Sequence, residues 1–360
     1  MRLRSRSLAL AAALAVAVVG GGAAPAGAEP VDVQLKAASV SRLAGADRIG
    51  TAVAASRSFS GQRAGAVVLA RSDTYADSLA AAPLASDEGG PLLLTPTGGL
   101  DASVADAIRD VLAPGGTVYL LGGTAALSTS VEESVRSLGI AGAVTRVAGA
   151  DRFGTAVEVA KLIPEAGTVS VVTGWNFPDG LAAGALMGVV DADTEHSVGV
   201  VLLSDGANLG STTAGYLDQR GFTTKIAIGG PAAVAVSGRN GWAPIAGADR
   251  YDTSARIARQ FTSSSFFEDA TTIVGIATGE GWADALAGSA LLAYGGGPLL
   301  LTQPGQLPTA TADVLRDLQA DARATLDDQG NPLEVGTALV FGGTGAVQDV
   351  VLDQVRAALA

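Results

Sequence analysis

A ten-residue phrase returns three times along the chain. Arg42 to Thr51 reads RLAGADRIGT, Arg146 to Thr155 reads RVAGADRFGT, and Pro244 to Thr253 reads PIAGADRYDT. Its aspartates, Asp47, Asp151 and Asp249, are 104 and 98 residues apart. A fixed period constrains the architecture before any local assignment, and at this length each repeat is a domain-sized unit rather than a solenoid rung. The phrase divides the chain into repeats at 41–142, 143–240 and 241–360, with a signal-like segment at 1–28 and a polar lead-in at 29–40.

Each repeat alternates short apolar runs with helix-patterned stretches. In the first, strands are expected at Gly65–Ala70, Pro91–Thr95 and Thr117–Leu121. Helices are expected from Asp77, over Asp101–Leu112, and from a capping box at Thr129-x-x-Glu132. A short strand at Ala143–Val147 leads into the second phrase. The second repeat has strands at Val169–Thr173, Gly199–Leu203 and Lys225–Ile228, and the third at Thr272–Ala277, Pro298–Thr302 and Ala338–Phe341. Continuous apolar strands alternating with helices predict α/β modules, each a small, mostly parallel open sheet flanked by helices. The third repeat holds thirteen extra residues around Arg323–Val335, whose Gly-Asn-Pro predicts an exposed loop or hairpin.

Composition narrows the chemistry. The 48 glycines and 4% aromatics suit close helix-on-sheet packing. With no cysteine and a single His196, thiolate metal sites, a Cys nucleophile and most Ser–His mechanisms are unavailable. His196 lies in an acidic loop, Asp191–Ser197, and reads as a solvated residue. No GxGxxG, P-loop, GxSxG elbow or HExxH-like cluster occurs, so neither metal nor cofactor is expected, and no catalytic residue is assigned. A pair of carboxylates acting as a glycosidase remains open, because sequence spacing does not give their separation in space.

Arg2, Arg4 and Arg6, the apolar run Leu8–Val19 and Ala26-Gly27-Ala28 make a secretory signal with an A-x-A cleavage site. The competing reading is an uncleaved anchor; Gly20–Gly22 and Pro25 interrupt it and favour cleavage. The net charge of −12 becomes −15 once the three signal arginines are removed. That opposes nonspecific binding to nucleic acid or an anionic membrane, so an anionic partner has to be met by a local patch.

In all three repeats the order is RxAGADRxxTA (with Pro244 in place of the first Arg and Ser254 in place of the last Ala in the third), [YFW]-x-D-x-L-A-[AG], GPLLLT, then a strand ending in GG[TP]. The second repeat departs from the third element, reading Val198-Gly199-Val200-Val201-Leu202-Leu203-Ser204. Taken together this series resembles the cell wall-binding repeat 2 family, over nearly everything after residue 40. The resemblance implies three tandem modules packed around a pseudo-threefold axis. It also implies noncovalent retention of a secreted protein on an anionic polymer, or a peptidoglycan-linked glycan, of a Gram-positive wall.

Two sets of recurring residues are candidates for polymer binding. Arg48, Arg152 and Arg250 each follow an N-cap-like Asp, where a cation opposes the helix dipole by a few tenths to about 1 kcal/mol. Either each is a bidentate fork for phosphate or carboxylate, or each pairs with an Asp of the neighbouring module. Asp77, Asp179 and Asp284 stand at strand-to-helix turns with Tyr75, Phe177 and Trp282 two residues earlier. Ring and carboxylate would suit a sugar at the carboxyl ends of parallel strands; alternatively the Asp is an N-cap with the ring packed over the first turn. Trp175 either adds to that rim or packs. The same constellation three times suits multivalent binding rather than catalysis. The expected function is therefore non-catalytic wall attachment at the cell surface, against two alternatives: a wall-active hydrolase or its accessory subunit, and a surface protein-interaction module.

Overall fold

In the computed structural model, residues 38–59, 63–189, 198–262, 270–327 and 330–360 are described. The signal segment, nearly all of the lead-in, and His196 with its acidic loop lie outside the described residues.

The described chain forms three four-stranded sheets in which every pairing is parallel. Its strands in chain order are β1 (Ser39–Leu43), β2 (Ala64–Arg71), β3 (Leu92–Thr95), β4 (Leu112–Leu121), β5 (Ala143–Val147), β6 (Thr168–Thr173), β7 (Val200–Ser204), β8 (Thr224–Ile228), β9 (Trp242–Ile245), β10 (Ile273–Thr278), β11 (Leu299–Thr302) and β12 (Thr337–Phe341). The sheets run β3-β2-β4-β5, β7-β6-β8-β9 and β11-β10-β12-β1. Their central strands are buried on both faces, as their unbroken apolar runs require.

The edge strands show how the modules are joined. β5 precedes the second phrase but pairs with β4, and β9 precedes the third phrase but pairs with β8. β1, before the first phrase, pairs with β12 near the far end of the chain, Leu43 opposite Phe341. Every sheet therefore receives its fourth strand from the segment that enters another repeat, and the series closes on itself. This cyclic exchange is the pseudo-threefold α/β arrangement expected above.

The helices are α1 (Arg48–Ser56), α2 (Ala82–Asp87), α3 (Ala102–Val111), α4 (Thr129–Ser137), α5 (Arg152–Lys161), α6 (Pro178–Met187), α7 (Ser211–Gln219), α8 (Gly230–Ala235), α9 (Arg250–Ala258), α10 (Ala283–Gly295), α11 (Thr309–Ala324) and α12 (Asp349–Leu359). Around the axis α10 packs on both α2 and α6. These three are apolar on nearly all sides and buried, as a helix enclosed by neighbours must be. Their contact is made of small residues: a side chain at Gly184 would meet Ser289 Oγ at 2.6 Å and Ala82 Cβ at 3.0 Å. Ser289 donates to the Leu181 carbonyl at 2.7 Å, and Ser86 to the Gly188 carbonyl at 2.9 Å. High glycine and low aromatic content thus follow from how closely these helices approach.

Some local expectations are corrected. The cap of α4 is Ser128, whose hydroxyl accepts from the Val131 amide at 3.4 Å. Glu132 does not close a capping box, because Arg136 and Arg146 hold its carboxylate. Asp77 does not open a helix: residues 76–80 form turns and α2 begins at Ala82, since Pro83 would break any helix running through it. The insertion in the third repeat extends α11 to sixteen residues as well as forming a hairpin, closed by a Leu326–Pro332 bridge. The departure in the second repeat leaves its strand in place, because Ser204 is buried and donates to Gly206 as Thr95 donates to Gly99.

Candidate functional site

The recurring phrase builds a strand-to-helix hinge between two modules. Asp47 accepts from the Gly50 amide at 2.9 Å, Asp151 from Gly154 at 2.8 Å, and Asp249 from Tyr251 and Asp252 at 2.9 and 2.8 Å. These are side-chain N-caps satisfying otherwise orphaned donors. The hinge closes when the Gly45, Gly149 and Gly247 amides donate to the hydroxyls of Thr51, Thr155 and Thr253. A β-carbon on Gly45 would lie 2.2 Å from the Gly50 backbone, so only glycine lets the hinge cross itself.

Arg48, Arg152 and Arg250 are the first helical residues after these caps. Among the described residues, none forms a salt bridge with an Asp of the neighbouring module. Arg48 donates to the Ser72 carbonyl at 2.9 Å, Arg152 to Gly174 at 2.6 Å, and Arg250 to Gly279, all carbonyls just beyond the carboxyl ends of β2, β6 and β10. Each guanidinium also lies over an aromatic ring: Arg48 over Trp282 at 5.5 Å, Arg250 over Phe177 at 5.9 Å, and Arg152 over Trp175 at 4.5 Å. In the first two cases the ring belongs to the module before. Anchoring carbonyls and rings offset the unfavourable helix-dipole position. Arg48 is exposed, and a guanidinium has five N–H donors, so donors remain for a further acceptor.

The aspartates lie deeper. Asp77 accepts from Thr155 of the following phrase at 2.8 Å. Thr51 and Arg48 favour the charged form of Asp284, as Arg250 does that of Asp179, while the Thr51 hydroxyl itself donates to the Asp47 carbonyl at 3.1 Å. Burial raises the Asp179 and Asp284 carboxyls above the usual range, and the neighbouring arginines oppose that rise. Each carboxylate also abuts the first glycine of its own module's Gly-Gly pair, where φ is +88°, +86° and +99° at Gly122, Gly229 and Gly342. A β-carbon at Gly229 would fall 2.0 Å from the Asp179 carboxylate. The first glycine of each pair therefore makes a tight turn of positive φ, and what approaches its backbone is the protein's own Asp. In α6 and α10 the Asp occupies the second helical position, with Phe177 or Trp282 at the cap position and no side-chain cap bond.

Tyr75, Phe177 and Trp282 converge from the three modules. Tyr75 meets Phe177 edge-on at 5.7 Å and Trp282 at 6.2 Å, and its hydroxyl donates to the Trp175 carbonyl at 3.1 Å. All three rings are half-buried. Trp175 is 57% exposed and donates its indole N–H to Asp205. The structure thus assembles arginines, aspartates and aromatic rings into one composite at the carboxyl ends of the strands. Arg48 is exposed, while the other two arginines, the three rings and the three aspartates are half-buried. Thr155, which ties its hinge to Asp77 of the previous module, and Thr51, which acts on Asp284, were not singled out from sequence, although their recurrence in the phrase marked them.

Comparison with known proteins bears on the family and the fold. The family described as Cell wall binding domain 2 (CWB2) matches residues 42–132, 146–237 and 245–352. The chain is 26% identical over 321 residues to the N-acetylmuramoyl-L-alanine amidase LytC of Bacillus subtilis, covering 88% of this chain and 58% of that protein. It is also 26% identical over 283 residues to the amidase enhancer of the same organism, covering 77% and 36%. Among solved structures, Cwp6 from Clostridium difficile superposes with a TM-score of 0.72 at 22% identity, covering 90% of this chain and 48% of that one. Cwp8 from the same organism gives 0.70 at 24%, covering 89% and 51%. The chain thus spans between about a third and three-fifths of the length of these relatives.

Proposed function

The chain belongs to the cell wall binding domain 2 family through all three of its repeats, and from that premise we propose that it is a secreted protein held noncovalently on an anionic polymer, or a peptidoglycan-linked glycan, of a Gram-positive wall. In this reading it has no catalytic role of its own. The supporting observation is the triplicate junction, in which Arg48, Arg152 and Arg250 are held at the rim over aromatic rings at the carboxyl ends of the strands. Phosphates or carboxylates of the polymer meet the free guanidinium donors, and sugar faces rest on Tyr75, Phe177 and Trp282. Asp77, Asp179 and Asp284 act from beneath, keeping the junctions in register. Three weak contacts on one rigid body reinforce each other through effective concentration.

Replacing Arg48, Arg152 and Arg250 together by Lys tests this. Charge is retained while the planar fork is lost. Cosedimentation with purified walls is expected to fall at least tenfold in affinity, with the circular dichroism spectrum unchanged. Unaltered sedimentation overturns the role given to the arginines. Loss of the folded spectrum assigns them to module packing instead.

Similarity to an amidase and an amidase enhancer favours a second reading, in which this chain positions or assists a wall hydrolase. Faster release of wall fragments by a separate amidase in its presence supports that reading. Release by this chain alone, abolished by one Asp substitution, would make it the hydrolase.

A further inference from the structure

Among the described residues, the second module lacks a cover that the other two possess. In the first, α4 lies over edge strand β5, and Arg136 donates to the Val144 carbonyl at 3.5 Å. In the third, α12 lies over β1, and Arg356 donates to the Val40 carbonyl at 3.4 Å. The second module has only the six-residue α8 after its Gly-Gly, and this helix packs on β6, β7 and β8. Seven residues later the chain is already in β9.

The residues beneath change with the cover. Counted back from the Gly-Gly pairs, the third strands place Val118 opposite Val144 in the first sheet and Ala338 opposite Val40 in the third. At the same register the second sheet places Lys225 opposite Trp242. An aliphatic pair under a helix has become a cation and an indole at an open face.

Leu217, Asp218, Lys225, Arg239, Asn240 and Trp242 line a cavity there of about 330 Å³, within the usual range for small-ligand sites of roughly 300–1,000 Å³. Arg239 pairs with Asp218, whereas Lys225 has no ion pair among the described residues. Two cations against one carboxylate make this a locally positive hollow on a chain of net charge −12.

We propose that this hollow is a subsite for one acidic sugar, a hexose ring carrying a phosphate or a carboxylate. The ring lies on the Trp242 indole. Lys225 and the free donors of Arg239 take the anionic group. Asn240 and Asp218 remain for ring hydroxyls, the amide as donor and acceptor and the carboxylate as acceptor only. The assignment builds on the wall-polymer reading, since such a sugar is a unit of an acidic glycan, but it names a place distinct from the module junctions.

Three tryptophans make the test direct. In protein labelled with ¹⁵N at the indole nitrogens, Trp242→Phe identifies the Trp242 signal. Glucose 1-phosphate and glucuronate serve as probes, with glucose as the neutral control. One or both acids are expected to move the Trp242 signal with a dissociation constant of about 1 mM, the tighter acid identifying the anionic group. Glucose binds about tenfold more weakly, and Lys225→Met weakens the acids about tenfold, as loss of one charged hydrogen bond does. In the absence of any probe, Trp175 and Trp282 signals that coincide with those of the parent confirm that the variant is folded. The proposal is overturned if neither acid moves Trp242, or if Lys225→Met binds them equally well. It is also overturned if the signal moves with protein concentration alone, which would mean that a second copy covers β9. Wall sedimentation stands apart: an inert hollow leaves attachment intact, and a sugar response without wall retention leaves the hollow intact.

Discussion

Burial at the junctions puts Asp179 and Asp284 in tension with their own charge. Both carboxyls are raised chiefly because burial strips their water, an effect opposed by Arg250 at one and by Thr51 and Arg48 at the other. A carboxyl raised in the folded state binds its proton more readily there than in the unfolded chain. Its stabilising contribution is therefore complete below the ordinary carboxyl range, near pH 4, and is lost as pH rises through the raised value. The variant Asp179→Asn with Asp284→Asn lacks this dependence. The melting temperature of the variant minus that of the parent is expected to be largest at neutral pH and to shrink on acidification toward pH about 4. A difference that is constant or grows contradicts the desolvation account. At this scale the N-cap aspartates were legible, because capping is local and leaves a local signature at Asp47, Asp151 and Asp249. The partners of Asp77 and Asp284 were not, because Thr155 and Thr51 lie in another repeat and reach them only through the fold.

Elements carry the ring closure. If β1 is the fourth strand of the third sheet, removing residues 1–43 leaves β12 as a bare edge. Amide exchange at Thr337–Phe341 is then expected to quicken strongly, while β6 and β8 of the second sheet keep their protection. Equal loosening of all three sheets would show that closure stabilises the whole ring rather than one sheet. The central helices give a second test. Gly184→Leu forces a side chain against Ser289 and Ala82, and is expected to cost about 1–3 kcal/mol in denaturant unfolding, whereas a neutral outcome contradicts their close approach. Strand and helix alternation could be read from sequence because the apolar runs are continuous and the turns are marked by Gly and Pro. The destination of β5, β9 and β1 could not, since hydrophobic pattern identifies a strand without naming its neighbour. The same limit hid the bare face of β9: the short stretch after Gly230 is visible in the sequence, but its consequence appears only when the three sheets are compared.

For the whole molecule, triplication packs three related modules against one another, and in the proposed reading their rims bind together. No helix of the described residues is long and apolar enough to cross a membrane, and retention in the proposed manner rests on polar contacts outside it. In the proposed reading a net negative protein on a negative polymer is held by local cations, so its affinity is exposed to screening. The most direct measurement is cosedimentation with Gram-positive walls, either intact or stripped of their anionic polymers, at about 0.1 M and about 1 M salt. Retention on intact walls at the lower salt, sharply reduced by stripping and by the higher salt, is the predicted result. Equal retention on stripped walls, or none on intact ones, would contradict the account.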